Sequence, residues 1–357
     1  MSFSMGIVGL PNVGKSTLFN LLTQNQVEAS NYPFCTIDPH VGRVKVPDPR
    51  LETLTQISKS QKTIPAMVEF VDIAGLVQGA HKGEGLGNQF LSRIREVDAI
   101  CHVIRAFEDK EIIHVEGEIN PNKDLNTIHL ELIMSDLQIV EKRLEKIQKS
   151  AKGKTNKEIK EEIDILEKLK DALEQEKFIS TRVLSETRIK FVKQLNLLTI
   201  KPVMYVMNSS DQTRTLPPPK EIDPSKILYI NAKLENELQE LPPIERAAYL
   251  KELGIEKRGL DQLIQTAYRL LKRITFFTTG QKETRAWTIE KGSLAPQAAG
   301  KIHSDFEKGF IRAEVISYQD FVNCQGETGA REKGKTRLEG KNYVMRDGDV
   351  CFFRYSI

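Results

Sequence analysis

Six short apolar runs punctuate the chain: Met5 to Val8, Val41 to Val46, Met67 to Val71, Ala99 to Ile104, Val203 to Met207 and Ile227 to Ile230. They alternate with stretches of helical spacing, which predicts an α/β sheet that is mostly parallel. Pro47-Asp48-Pro49 reads as a turn, so one of the runs flanking it is expected at an antiparallel edge. From about Leu125 to Phe178 the texture changes to Lys- and Glu-rich sequence. There Leu137, Val140, Leu144 and Ile147, then Ile159, Ile163, Leu166, Leu169 and Leu173, recur at helical intervals on either side of a break at Ala151 to Asn156. This pattern predicts an antiparallel helical hairpin, a coiled-coil arm inserted into the α/β domain. Arg258 to Lys272 reads as a last amphipathic helix, with Leu260, Leu263, Ile264, Ala267 and Leu270 on one stripe. Beyond Ile274, strand patterns at Thr275 to Thr278, Ala286 to Ile289, Ile311 to Ile316, Tyr343 to Val344 and Val350 to Tyr355 surround one helical stretch, Ala295 to Phe306. A small α+β domain follows.

At 357 residues the chain exceeds one ordinary core, so two or three domains are expected. A net charge of +3 does not by itself imply nucleic acid, and any basic surface must be local. Cys35, Cys101, Cys324 and Cys351 have no zinc or redox spacing and read as small hydrophobes in a reducing compartment. The sequence has neither a signal-peptide pattern nor an apolar run near the ~20 residues that span a bilayer, so a soluble, cytoplasmic protein with no membrane partner is expected.

The chemistry starts where the first strand pattern ends, in Gly9-Leu10-Pro11-Asn12-Val13-Gly14-Lys15-Ser16-Thr17. A strand, a glycine-rich turn and a helix start in that order make a phosphate-binding loop. The glycines let successive N–H groups converge on a phosphate, and the helix N-terminus adds its partial positive charge. Asn12, Val13, Gly14, Lys15, Ser16 and Thr17 are therefore nucleotide-binding candidates, with Lys15 on the β- and γ-phosphates and the Ser16 hydroxyl toward Mg²⁺. Val68 to Gly75 is an apolar strand ending in Asp72-Ile73-Ala74-Gly75, the DxxG pattern of GTPase-like proteins, in which the Asp anchors the metal shell and the Gly N–H senses the γ-phosphate. Thr36, between the two motifs, is placed to offer a second hydroxyl to Mg²⁺. Asn208-Ser209-Ser210-Asp211 and Asn231-Ala232-Lys233 each follow a strand, where base-recognition loops lie.

The loop Gly9 to Thr17, the run Asn31 to Asp38, Asp72 to Leu76 and the C-terminal stretch Asp305 to Val315 together resemble the YchF proteins, the Obg-like ATPases, over essentially the whole chain. The resemblance implies a P-loop NTPase of GTPase-like, doubly wound α/β fold at 1–124 and 196–273, an inserted helical arm at 125–195, and a TGS domain of β-grasp, α+β type at 274–357. It also implies a Mg²⁺-dependent ATPase that associates with ribosomes, with Ser16 and Thr36 as Mg²⁺ ligands and Lys15 and His114 as catalytic residues. Asn12 matches the position that helps hold K⁺ in potassium-stimulated relatives.

Two departures from ordinary GTPases bear on mechanism. Leu76 stands where many place a water-orienting Gln and can neither donate nor accept a hydrogen bond, so slow basal turnover is expected and His114 is nominated in its place. Ser209 replaces the Lys of Asn-Lys-x-Asp, which argues against strict guanine selection, whereas Asp211 and Asn231-Ala232-Lys233 keep the guanine pattern. ATP is the favoured nucleotide, and a GTP-preferring GTPase is the alternative. In the C-terminal domain Lys308, Arg312, Arg331, Lys333, Lys335, Arg337 and Lys341, with Phe306 and Phe310 nearby, make a basic stretch suited either to RNA phosphates and bases or to a solvated face over a core. The resemblance favours ribosomal RNA or a ribosomal protein, met through the TGS domain and the arm, with no DNA partner. A different class, a ribosome-binding module in which the nucleotide is structural and hydrolysis incidental, is the second alternative.

Overall fold

The computed structural model describes residues 3–24, 40–73, 86–109, 112–114, 117–150, 157–179, 186–210 and 216–356. In chain order the elements are β1 (Ser4–Val8), α1 (Lys15–Thr23), β2 (Val41–Lys45), α2 (Pro49–Ser58), β3 (Lys62–Ile64), β4 (Met67–Asp72), α3 (Leu86–Glu96), β5 (Ala99–Arg105), α4 (Pro121–Ser150), α5 (Lys157–Glu174) and α6 (Glu186–Gln194). There follow β6 (Val203–Asn208), β7 (Ile227–Ile230), α7 (Ala232–Glu240), α8 (Pro243–Glu252), α9 (Gly259–Leu270), β8 (Arg273–Thr278), β9 (Glu283–Glu290), α10 (Ala295–Ile302), α11 (Ser304–Lys308), β10 (Phe310–Ser317), α12 (Tyr318–Asn323), α13 (Glu327–Glu332), β11 (Arg337–Glu339) and β12 (Asp349–Tyr355). All six apolar runs are strands of one sheet, of order β2-β4-β1-β5-β6-β7. Neighbouring strands from β1 through β5 and β6 to β7 run parallel. Every residue of β5 is buried, which is why AICHVIR reads as a continuous rather than an alternating pattern.

By contacts the chain forms two compact units, 1–24 with 36–42 and 70–259, and 25–35 with 43–69 and 260–357. In the first, α4 and α5 pack together around Val140, Ile147, Leu166, Leu169 and Leu173, with Leu137, Leu144, Ile159 and Ile163 against them, so all nine periodic positions of the arm serve its core. Asp136 ties α4 to the turn before β6. Its buried carboxylate accepts from Leu198 N at 2.9 Å, Thr199 N at 2.8 Å, Thr199 Oγ1 at 2.8 Å and Arg95 Nη1 at 3.2 Å.

In the second unit a sheet of order β11-β10-β12-β8-β9-β3 is closed at one edge by β3, which runs parallel to β9. Pro47-Asp48-Pro49 starts a helix here and is not just a turn: Asp48 Oδ1 accepts from Arg50 N at 3.0 Å, with Pro49 as the first helical residue. Arg50 also reaches Asp347 Oδ2 at 2.7 Å, fastening α2 to the turn before β12. The single helix expected over Ala295 to Phe306 is two, broken at His303, whose extended backbone and side chain cap α11. Tyr343 to Val344 is no strand: Val344 makes one isolated bridge to Leu294. Cys101, Cys324 and Cys351 are buried thiols, as a hydrophobic role requires, and Cys35 lies outside the described residues.

Candidate functional site

The carboxyl ends of β1, β5, β6 and β7 meet at one pocket of about 790 Å³. Asn12, Gly14, Lys15, Ser16 and Thr17 line it from the glycine loop, Asn208, Ser209 and Ser210 from the end of β6, and Asn231, Ala232, Lys233 and Asn236 from the start of α7. Three segments, the first nearly two hundred residues of chain before the other two and each singled out for nucleotide binding, thus share one cavity.

Two glycines make the loop possible. A Cβ on Gly9 would strike Val103 O on β5, and Gly14 combines φ +97° with a position where a Cβ would strike Asn208 Nδ2. Gly14 precedes the first turn of α1, and Lys15, Ser16 and Thr17 of that turn line the pocket, as an anion site at a helix N-terminus requires. Val13 is buried beneath the loop and contributes its carbonyl, which accepts from Asn208 Nδ2 at 3.0 Å. Asn208 Oδ1 accepts from Ala232 N at 3.3 Å, and Asn208 O accepts from Ala106 N at 2.8 Å. One side chain therefore ties the phosphate loop to the start of α7. Asn231 caps α7 by accepting from Leu234 N at 3.0 Å and donates to Ser210 O at 2.6 Å, while Ser209 N donates to Ile230 O at 2.9 Å. Both asparagine amides, singled out as base readers, are thus engaged in joining the loops that wall the pocket.

Lys15 is buried, with Nζ donating to Leu10 O at 2.6 Å. Burial pulls its ammonium down to about 8, against an opposing pull from the Asp72 carboxylate. Asp72 ends β4, and its Oδ1 is buried without a hydrogen-bond partner among the described residues. An orphaned carboxylate oxygen beside the phosphate-loop lysine fits a divalent cation shell, and Ser16 presents an exposed hydroxyl on the same loop. Among the described residues no group of three or more His, Cys, Asp or Glu side chains forms a protein-only metal cage. Thr36, Gly75, Leu76 and Asp211 lie outside the described residues.

His114 does not line the pocket. It is buried, with Nε2 3.0 Å from Asp124 Oδ2 at the start of α4. The segment leading to it contributes walls that sequence reasoning missed: Phe107, Glu108, Asp109 and Ile112. Arg105 shapes this segment, with its buried guanidinium donating to Phe107 O and Ile112 O at 3.1 Å and to Asp109 O at 3.3 Å. An arginine ending an otherwise largely apolar, fully buried strand was the available signal. Asn12 reaches the same segment, with Nδ2 donating to Ile113 O at 3.1 Å.

In the second unit the basic stretch is partly neutralised. Arg331 pairs with Glu314 and Glu327, Arg337 with Asp349, and Lys335 with Asp320. Phe310 is a core residue, so it does not stack on bases, and Phe306 packs on that core with its ring 3.8 Å from that of Tyr355.

Comparison with known proteins agrees with this geometry. Residues 4–136 match the family described as 50S ribosome-binding GTPase, and residues 273–356 match the YchF-GTPase_C family, described as a protein of unknown function. The chain is 52% identical to the ribosome-binding ATPase YchF of Bacillus subtilis and 50% identical to that of Escherichia coli O157:H7, with all of both chains covered in each case. The structure of the Schizosaccharomyces pombe YchF GTPase superposes with a TM-score of 0.88 at 41% identity, covering 99% of this chain and 98% of that one. A phosphate loop and two loops beyond strand ends that line one pocket, on a chain matched from end to end, make this protein a member of the YchF family, with a P-loop GTPase-type nucleotide domain.

Proposed function

We propose that the chain is a ribosome-associated, Mg²⁺-dependent ATPase acting as a nucleotide-dependent switch in translation or the stress response. The observation that carries this reading is the single pocket into which Gly14 to Thr17, Asn208 to Ser210 and Asn231 to Lys233 converge. The relatives' names, ribosome-binding ATPase, support the ribosome as partner and a cytoplasmic location. Among the described residues no helix is long and apolar enough to cross a membrane. We assign nucleotide binding to 1–124 and 196–273, and contact with ribosomal RNA or protein to the arm at 125–195 and the TGS-type domain at 274–357.

The loop N–H groups and the α1 N-terminus bind and orient the phosphates, and Lys15 neutralises charge on the transferring phosphoryl group as water attacks in line. Ser16, Thr36 and Asp72 are the residues that would hold Mg²⁺, which would supply charge neutralisation to the phosphates. Asn12, whose Nδ2 is engaged on Ile113, retains its amide oxygen for K⁺. His114, aligned by Asp124, has the arrangement of an oriented base, and movement of its segment would be needed to bring it to the γ-phosphate. His114→Ala is expected to slow single-turnover hydrolysis at least about tenfold. An unchanged rate would leave His114 as an anchor for its segment.

Base choice rests on Ser209, which removes the lysine that packs along guanine in ordinary GTPases. Parallel equilibrium titrations with ATP and GTP, with and without ribosomes, are expected to show tighter ATP binding. The reverse order would establish the GTP-preferring alternative.

A further inference from the structure

Helix α8 is unlike the other helices of its unit. None of Ile244 to Glu252 is buried, Ile244 is 86% exposed, and Tyr249 and Leu253 are also exposed, at 37% and 42%. A helix that buries none of these side chains in its own chain has no intrinsic reason to carry Ile244, Ala247, Ala248 and Tyr249 on its surface. It is nevertheless held in place. Arg246 donates through Nη2 to Gln239 O at 3.3 Å and Leu241 O at 2.9 Å, and Leu241 and Pro242 join α8 directly to α7.

Between α7 and α8 runs a groove of about 540 Å³, lined by Leu241, Ala248 and Tyr249 together with Glu237, Glu240, Glu245 and Glu252. Glu245, Ala248, Tyr249 and Glu252 lie at i, i+3, i+4 and i+7, so they form one stripe of α8. All four carboxylates are exposed, and among the described residues none is paired with a cation. On a chain of net charge +3, this is a local acidic face with an apolar floor.

We propose that the α7–α8 groove docks a basic, amphipathic segment of a ribosomal protein. The proposal rests on the ribosome-associated reading and names a partner for it. Charge decides the class: lysines and arginines of a protein segment complement the four carboxylates while its apolar side chains cover Tyr249, Ala248 and Ile244, whereas RNA phosphates would be repelled. The face also adjoins the nucleotide site mechanically. The first residues of α7 line the nucleotide pocket and its last residues line the groove, and Gln239 Nε2 donates to Leu21 O on α1 at 2.7 Å.

The test is co-sedimentation of the full-length chain with purified ribosomes, comparing the wild type with the double charge reversal Glu245→Lys/Glu252→Lys. Both residues are exposed and lie outside the nucleotide pocket, so ribosome-free ATP hydrolysis reports that the variant is folded. The variant is expected to bind ribosomes about tenfold or more weakly, with the loss shrinking at high salt. A benzophenone side chain at the exposed Ala248 is expected to cross-link to a ribosomal protein. Unchanged binding by the variant overturns the proposal. So does tighter binding, or cross-linking to ribosomal RNA, since either places phosphate against the face. Failure of the wild type itself to sediment defeats the ribosome-associated reading and this proposal with it, and that outcome is distinguished because it appears without any substitution.

Discussion

Replacing Lys15 by Met is expected to slow ATP hydrolysis by about 10²–10³-fold, measured as phosphate release at saturating nucleotide. Among the described residues the lysine has no substitute in the pocket. Its ammonium is buried, held at Leu10 O and adjacent to Asp72, while Lys233, the other lysine of the lining, stands on α7 and is exposed. A loss of less than about threefold would mean that charge on the phosphoryl group is neutralised elsewhere. The same residue sets a pH dependence. Burial lowers its pKa from 10.5 to about 8, so between these values the folded chain binds fewer protons at Lys15 than the unfolded chain does. The lysine's cost to stability is therefore fully present below pH 8 and is relieved as pH rises toward 10.5. Nucleotide affinity moves the opposite way: triphosphate binds the ammonium, so affinity falls as pH climbs through about 8, and Lys15→Met lacks that step.

Asp136→Ala is expected to destabilise the chain by about 3–5 kcal/mol, read as a shift in the denaturant midpoint. Its fully buried carboxylate serves the N–H groups of Leu198 and Thr199, the Thr199 hydroxyl and the Arg95 guanidinium. Truncation leaves all of those donors without this acceptor and a guanidinium without its counter-charge. Asp136→Asn keeps the shape and one acceptor oxygen, so its cost is expected to be smaller. A shift below about 1 kcal/mol for the alanine variant would show that water or a rearranged turn replaces the carboxylate.

Much of this was legible in the sequence because it is local. The glycine loop, the strand end at Asp72 and the two loops after β6 and β7 carry their own chemistry within a few residues, and strand-to-helix alternation orders them. The arm's nine core positions were readable because helix packing repeats along the chain. What stayed hidden depends on distant partners. β3 is three residues long and pairs with β9 more than two hundred residues away, so neither length nor composition marks it as a strand. The Asp48 cap was hidden by a Pro-Asp-Pro pattern that serves turns and helix starts equally. The inward-facing Phe310 was indistinguishable in sequence from a base-stacking aromatic, since both uses need the same ring. The roles of Asn208 and Arg105 are set by which carbonyls the fold brings to them, and spacing carries no record of that.

The central claim is that nucleotide state governs association with the ribosome, and it is tested most directly by co-sedimentation of the full-length chain with purified ribosomes in ATP, ADP and a non-hydrolysable ATP analogue. Stronger binding with the analogue than with ADP is the expected result, because a switch of this kind responds to the presence of the γ-phosphate. Equal binding in all three states would contradict the switch and leave the nucleotide as a structural ligand.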